Sequence, residues 1–125
     1  MVREMDPEVM AALKRGHRID ITTTGRRSGK ARRIELVFHN LDDRIFISGR
    51  PEWPRDWIAN LRADPRMTFH LKGSVAADLQ ATGRVILDPA ERQGVLAPIA
   101  EGWGMDLGTM VASAPLIEVV FDRAD

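Results

Sequence analysis

Positive charge is concentrated in one short stretch of this sequence, residues 26–33, where five of the eight residues are basic and none is acidic. Such a stretch can bind an anion, because Gly25 and Gly29 let an oxyanion approach exposed backbone N–H groups closely. Arginine adds a planar pair of donors that matches a phosphate or a carboxylate, and Thr24 and Ser28 can add hydroxyl donors. The alternative is a solvated hairpin tip without a ligand, and the residue types leave both interpretations open.

The remaining composition restricts the classes of function. The chain has 18 Lys plus Arg and 18 Asp plus Glu, and this zero net charge argues against a general nucleic-acid binder. It has no cysteine, which excludes cysteine-ligated zinc and iron–sulfur centres. His17, His39 and His70 lack the spacing of metal ligands, so we expect no metal site. The glycine spacing of residues 26–33 also differs from that of a nucleotide-binding P-loop, and no helix follows.

Six segments show apolar alternation or β-branched runs, which are typical of strands. They are residues 18–24, 34–39, 44–48, 67–72, 75–87 and 116–121. Gly83 is expected to form a bulge in the fifth of them. Tight turns join most of these segments, and this predicts a mainly β fold, a small antiparallel β-barrel with helical additions. The basic stretch would form the turn between the first two strands.

Three helices are predicted from their caps and their apolar spacing. The first starts at Asp6-Pro7 and stops at Gly16, the second covers residues 54–63 and ends at Asp64-Pro65, and the third starts at Asp88-Pro89 and breaks near Pro98. Their apolar stripes are expected to contain Val9, Met10 and Leu13 in the first helix and Trp53, Trp57, Ile58 and Leu61 in the second. Residues 102–113 are predicted to be a loop. With 125 residues we expect one domain, organised as an N-terminal helix (1–16) and a cofactor-binding barrel (17–125).

Four segments carry motifs in an order that resembles a known family. They are ITTTGRRSGKARRIELVF, RIFISGRPEWPRDWIANLRADPRMTFHLKG, ATGRVILDPAER and SAPLIEVVF. Together they span about Ile19 to Phe121 and are similar to the deazaflavin-dependent nitroreductase family, which belongs to the flavin/deazaflavin oxidoreductase group. The resemblance implies a six-stranded antiparallel split β-barrel of the FMN-binding type, in agreement with the six predicted strands.

The resemblance also implies a cofactor. In that family the basic turn holds the phosphodiester and the acidic tail of coenzyme F-420, a 5-deazaflavin, which would explain the concentrated charge. By position, the residues implied to bind the cofactor are Arg27, Ser28, Gly29, Arg32, Ser48, Gly49, Arg50, Trp57 and Asn60. Arg27 and Arg32 would contact the phosphate, and Ser28 and Gly29 would supply donors from the turn. Ser48 would lie near the ring system.

The reaction implied is hydride transfer from reduced coenzyme F-420 to a nitroaromatic, a quinone or a similar conjugated acceptor. The cofactor supplies the hydride, but the proton needs a donor within hydrogen-bond reach. The best-known members of the family use tyrosines near the substrate, and this chain has no tyrosine. By residue type the candidates are Ser48, His39 and His70. We predict Ser48 as the catalytic residue. Both histidines lie opposite the apolar strand faces, and we expect each of them to be a surface or a structural residue.

Two other functions remain open, because one fold can carry several chemistries. The first is an FMN-dependent oxidoreductase on the same barrel. The second is a non-catalytic binder of an anionic small molecule.

The apolar run Val119-Val120-Phe121 exceeds what one strand face needs, and we predict a homodimer. No apolar run approaches the ~20 residues of a membrane span, and the first residues do not resemble a signal peptide, so we expect a cytoplasmic protein. The stripe of Met5, Val9, Met10 and Leu13 is too short for stable membrane anchoring. We expect neither a membrane nor a nucleic acid as a partner.

Overall fold

The computed structural model describes residues 7–15, 18–51 and 56–122, which form six strands and four helices. In chain order they are α1 (Pro7–Arg15), β1 (Arg18–Thr24), β2 (Ala31–Leu41), β3 (Arg44–Ser48), α2 (Asp56–Ala63), β4 (Arg66–Leu71), β5 (Ala77–Val85), α3 (Pro89–Trp103), α4 (Leu107–Ser113) and β6 (Leu116–Phe121). The predictions for Met5, Asp6, Gly16, His17 and Trp53 concern residues outside this description.

The strands close into a barrel in the order β1-β2-β3-β6-β5-β4, and every neighbouring pair is antiparallel. The predicted six-stranded antiparallel β-barrel is therefore confirmed. β1, β3 and β6 have the predicted bounds. After Arg44, β3 is buried on both faces, because Ile45 and Ile47 belong to the barrel core and Phe46 faces α3 and α4.

β2 starts three residues earlier than predicted, and this places two arginines in the strand itself. Arg32 pairs with Thr23 and Arg33 with Thr22 across the β1–β2 ladder. The apolar alternation begins only at Ile34, so the pattern gave no signal for these exposed positions. The backbone of Arg32 is consequently fixed by strand pairing and does not belong to the turn.

The bulge predicted at Gly83 is wrong. β5 keeps a one-to-one register through this residue, which lies opposite Val119 of β6. Glycine is required there for space, since an added Cβ would lie 3.1 Å from a methyl carbon of Leu61. Close packing of α2 against the barrel therefore explains this glycine.

Two helical predictions near the C-terminus are also wrong. α3 continues through Pro98 to Trp103, and residues 107–113 form α4 where a loop was expected. Pro98 costs α3 one backbone hydrogen bond, but Leu96 and Ile99 on either side of it are buried and hold the helix in place. α4 is capped by Asp106, whose carboxylate accepts the Thr109 N–H at 2.9 Å.

Apolar side chains form two cores. The barrel core includes Ile19, Ile21, Phe38, Ile47, Phe69 and Ile117, together with Trp57 and Leu61 of α2. The outer core lies between the barrel wall and the helices α3 and α4, and it includes Phe46, Ile86, Leu96, Ile99, Met110 and Leu116. The outer core thereby attaches α3 and α4 beside β3 and β6.

α1 packs against the same barrel. Leu13 is buried, and its carbonyl accepts a hydrogen bond from the Asn40 side chain at 3.0 Å. Met10 is exposed, so the predicted stripe is confirmed for Leu13 and, in part, for Val9. The division of the chain at residue 16 stays a prediction. Among the described residues, no helix combines the length and the apolar content that crossing a bilayer requires.

Candidate functional site

The turn between β1 and β2, residues 25–30, is here called the basic turn, and its backbone conformation is closely determined. The Gly25 N–H donates to the Lys30 carbonyl at 2.8 Å, and the Gly29 N–H donates to the Gly25 carbonyl at 2.8 Å. Gly29 has a φ of 70°, which favours glycine, and a Cβ on Gly25 would lie 2.8 Å from the Ser28 hydroxyl oxygen. Both glycines are therefore needed for this turn to form.

The basic turn leaves several hydrogen-bond donors for a ligand. No described residue accepts a hydrogen bond from the backbone N–H of Arg27 or Ser28. The guanidinium groups of Arg27 and Arg32 likewise form no ion pair with the part of the chain that the structure describes. Adjacent N–H groups and two unpaired guanidinium groups are the elements of an anion site.

The other arginines of the stretch are engaged within the protein. Arg26 donates from its backbone N–H and from its side chain to the Asn60 amide oxygen, at 3.1 and 3.0 Å. Asn60, only 4% exposed, therefore fastens the basic turn to α2. Arg33 instead pairs with Asp20 at 2.9 Å on the outer face of the barrel. Of the four arginines in the stretch, Arg26 and Arg33 are thus engaged within the protein, whereas Arg27 and Arg32 have no ion-pair partner among the described residues.

Carboxylates on β1 and β2 are neutralised by other cations. Lys72 forms ion pairs with both Asp20 and Glu35. The hydrogen bond from Lys72, followed by that from Arg33, lowers the pKa of Asp20, and the same lysine lowers the pKa of Glu35. These carboxylates stay ionised and paired, so they do not neutralise the guanidinium groups at the basic turn.

Two cavities adjoin each other beside the basic turn. The basic cavity, about 420 Å³, is lined by Arg26, Arg27, Ser28, Arg32, Asp56 and Asn60, among others. The apolar cavity, about 450 Å³, is lined by Val37, Ser48, Gly49, Arg50, Trp103 and Pro115, among others. Ile34 and Trp57 line both cavities, and both volumes suit a small-molecule site. All predicted site residues except Gly29 line one of the two.

Ser48 is a buried wall residue at the end of β3. Its hydroxyl donates to the Pro115 carbonyl at 2.7 Å. The hydroxyl proton is therefore occupied, and Ser48 could donate it to a substrate only by giving up this bond. Its catalytic role stays a prediction.

The two described histidines have different surroundings. His70 is hydrogen-bonded to Thr22 and Asp78, each at 2.7 Å, and it lines neither cavity. His39 lies with its ring centroid 5.3 Å from that of Trp103, and its Nε2 atom is buried without a partner among the described residues. Burial lowers the pKa of His39, which favours the neutral ring.

Trp103 is a site residue that sequence reasoning missed. It was assigned to a predicted loop, but it ends α3 and lines the apolar cavity. The only local signal was its place at the end of the segment DPAERQGVLAPIAEGW, which follows an Asp-Pro cap. Nothing in that segment indicates that the indole reaches the end of β3.

The family comparison agrees with this geometry. A family model described as F420H(2)-dependent quinone reductase matches residues 1–95. No curated protein sequence gave a significant match.

Solved structures also resemble the chain. A conserved hypothetical protein from Mycobacterium tuberculosis is 16% identical, with a TM-score of 0.73 and coverage of 98% of this chain and 83% of that one. An F420-H2 dependent reductase is 19% identical, with a TM-score of 0.61 and coverage of 82% and 92%. A protein described as a domain-swapped dimer is 19% identical, with a TM-score of 0.60 and coverage of 90% and 93%. At such low identities these likenesses show the shared fold alone.

Proposed function

The chain belongs to the F420H(2)-dependent quinone reductase family, and on this premise we propose that it transfers a hydride from reduced coenzyme F-420 to a quinone. The predicted membership in the deazaflavin-dependent reductases is confirmed, and the protein is an oxidoreductase that depends on coenzyme F-420. The identity of the acceptor is the proposed part. A nitroaromatic or another conjugated acceptor is a second candidate, because a flat apolar cavity would accept either.

The observation that carries the proposal is the junction of the two cavities at Trp57. Coenzyme F-420 has a flat ring system at one end and a phosphodiester with an acidic tail at the other. The apolar cavity fits the ring, and the basic cavity offers the unpaired guanidinium groups of Arg27 and Arg32 to the anionic part. The residues present therefore fit this cofactor, which supplies the hydride when it is bound.

We assign roles to the predicted residues on this basis. Arg27 and Arg32 hold the phosphate, and Ser28 adds its unpaired backbone N–H. Gly29 acts indirectly, because its left-handed conformation shapes the turn. Asn60 is a positioning residue that holds Arg26 and thereby the turn.

Four of the residues that line the apolar cavity would contact the ring. Ser48, Gly49 and Arg50 line one wall of this cavity, and Trp57 separates it from the basic cavity. The acceptor also needs a proton, and Ser48 is the proposed donor because its hydroxyl is the one on this wall. It would exchange its bond to Pro115 for one to the acceptor oxygen.

Cofactor titration followed by a single turnover tests the proposed function. Adding protein to coenzyme F-420 should shift the absorbance of the deazaflavin, whereas FMN should bind much more weakly. A stoichiometric amount of reduced coenzyme F-420 on the protein should then be oxidised when the quinone menadione is added. Tighter binding of FMN would overturn the cofactor assignment for this chain. Binding of coenzyme F-420 without oxidation would identify a binding protein.

We also propose that the protein is a homodimer. Of the predicted apolar run, Val119 belongs to the barrel core and Phe121 packs against Phe69, but Val120 is 48% exposed on the outer barrel face. Such a side chain on a strand of the barrel wall is available for contact with a second copy. Light scattering at micromolar concentration should give the mass of two chains. The mass of a single chain would contradict the proposal.

A further inference from the structure

We propose that Trp103 binds the electron acceptor, with the flat conjugated ring of the acceptor stacked on the indole in the apolar cavity. The inference rests on the proposed function, since it assigns a residue to the acceptor of that same reaction. It makes Trp103 a determinant of which acceptors the enzyme prefers.

The backbone holds Trp103 in a defined position at the end of α3. The next residue, Gly104, has a φ of 64°, and its N–H donates to the Glu101 carbonyl at 3.2 Å. The Met105 N–H donates to the Ala100 carbonyl at 2.9 Å. These bonds form a glycine cap that ends the helix sharply, so the indole projects from a fixed backbone.

The indole is also supported by its neighbours. His39 of β2 lies against it, with ring centroids 5.3 Å apart and an interplanar angle of 58°. Trp103 also packs against the outer core, which includes Phe46 of β3. A large aromatic side chain held in this way presents its surface to a ligand at little cost in conformational entropy.

The cavity beside Trp103 fits a flat, mostly apolar molecule. Its other walls include Ile34, Val37, Trp57 and Pro115. No described residue accepts a hydrogen bond from the Trp103 indole N–H, so this donor is available to a ligand oxygen. An aromatic surface with a nearby donor is suited to a conjugated ring that carries a carbonyl oxygen.

Trp103 lies beyond the residues that the family model matches. The family match ends at residue 95, whereas Trp103 and Pro115 lie beyond it. The basic turn and the end of β3 lie within the matched residues. The residues proposed for the cofactor thus lie within the matched part of the chain, and Trp103 lies in the part that follows it.

The test compares Trp103→Leu with the wild type on two acceptors. Menadione is flat and aromatic, whereas 2-cyclohexenone is conjugated but not aromatic. We expect the KM for menadione to rise about tenfold in the variant, because aromatic stacking and buried area are lost. The kcat/KM for 2-cyclohexenone should change less than about twofold, and the Kd of coenzyme F-420 should stay at the wild-type value. Trp103→Phe should restore most of the menadione affinity.

A binding measurement tests the role of Trp103 without relying on enzyme turnover. Calorimetric titration of menadione into protein saturated with oxidised coenzyme F-420 should show about tenfold weaker binding in Trp103→Leu. Met105→Leu is the matched control, because Met105 packs on the outer core two residues away and is not among the residues that line the apolar cavity. It should bind menadione like the wild type. If Trp103→Leu loses its fold, Trp103→Met places a longer, flexible apolar side chain at this position and carries the same expectations.

The outcomes separate this inference from the proposed function. Unchanged menadione binding and KM in the folded Trp103→Leu protein, with an active wild type, would overturn the role of Trp103 alone. An equal loss of kcat/KM for menadione and for 2-cyclohexenone would also overturn it. Stacking on an aromatic ring could not explain a loss that the non-aromatic acceptor shares. A wild-type protein that fails to oxidise reduced coenzyme F-420 with menadione would instead overturn the proposed function.

Discussion

Replacing Arg27 or Arg32 by alanine is expected to weaken the binding of coenzyme F-420 by about ten- to hundredfold, with the fold unchanged. Each substitution removes charge-assisted hydrogen bonds to an anionic group, worth roughly 1.5–3 kcal/mol. Both guanidinium groups lack an ion-pair partner in the described part of the chain, so their removal leaves no buried carboxylate uncompensated. Calorimetric titration of the purified variants with the cofactor measures the effect.

Two further variants make the interpretation specific. Arg27→Lys should recover only part of the affinity, because an ammonium group cannot reproduce the planar pair of donors. Arg66→Ala is the control for the loss of one positive charge, since Arg66 pairs with Asp64 and its side chain is 83% exposed. It should bind the cofactor within about twofold of the wild type, as surface ion pairs contribute little.

Salt provides an independent check on the same site. Raising the ionic strength should weaken cofactor binding by the wild type, because partly exposed charges are screened. This dependence should be smaller in the variant that lacks both Arg27 and Arg32. Wild-type affinity in that folded double variant would show that Arg27 and Arg32 do not bind the phosphate.

Replacing Arg92 by alanine is expected to lower the free energy of unfolding by about 3 kcal/mol, which corresponds to a fall of about 10 °C in Tm. Arg92 of α3 is only 8% exposed. Its guanidinium donates to the backbone carbonyls of Ile86, Met110, Val111 and Ala114. Three of these carbonyls lie at the C-terminal end of α4, where a positive charge is favourable, and of these the Met110 carbonyl also accepts the Ala114 N–H at 2.9 Å.

The cost of the substitution comes mainly from the carbonyl groups that lose their donor. A buried acceptor without a partner keeps its full desolvation penalty, and an alanine cannot supply a donor. Arg92→Lys should restore little of the lost stability, because one ammonium group cannot reach all the carbonyls that the planar guanidinium contacts. Urea unfolding followed by circular dichroism measures the difference.

The neighbouring residue supplies the control. Gln93→Ala removes a long polar side chain from an exposed position of the same helix, and it should change stability by less than about 0.5 kcal/mol. An Arg92→Ala protein as stable as Gln93→Ala would contradict the structural role that we assign to Arg92.

The barrel strands and the family were recognisable in the sequence alone. β1, β3 and β6 were predicted at their observed bounds, because β-branched and apolar runs bounded by turn residues are a local signal. The helix N-cap at Asp88 could also be predicted from the local sequence, since its carboxylate accepts the N–H of Glu91, only three residues further along the chain. Motif order was sufficient to indicate a deazaflavin-dependent reductase, and the family match confirms it.

The tertiary structure decided which of the clustered arginines can bind a ligand. Arg33 is paired with Asp20, and Arg26 is held by Asn60, 34 residues further along the chain. The sequence does not distinguish these arginines from Arg27, because charge pairing depends on distances between strands and helices. Only the closed barrel shows that Arg27 and Arg32 have no ion-pair partner among the described residues.

The C-terminal helices could not be predicted from local sequence patterns, because they also depend on contacts between residues far apart in the chain. α3 passes through Pro98 and α4 follows a glycine-rich segment, so the intrinsic preference of each sequence opposes the structure that forms. Burial of the outer core and the hydrogen bonds of Arg92 overcome that preference, and both depend on residues far apart in the chain. The same packing brings Trp103 to the apolar cavity, a placement that no spacing within the sequence encodes.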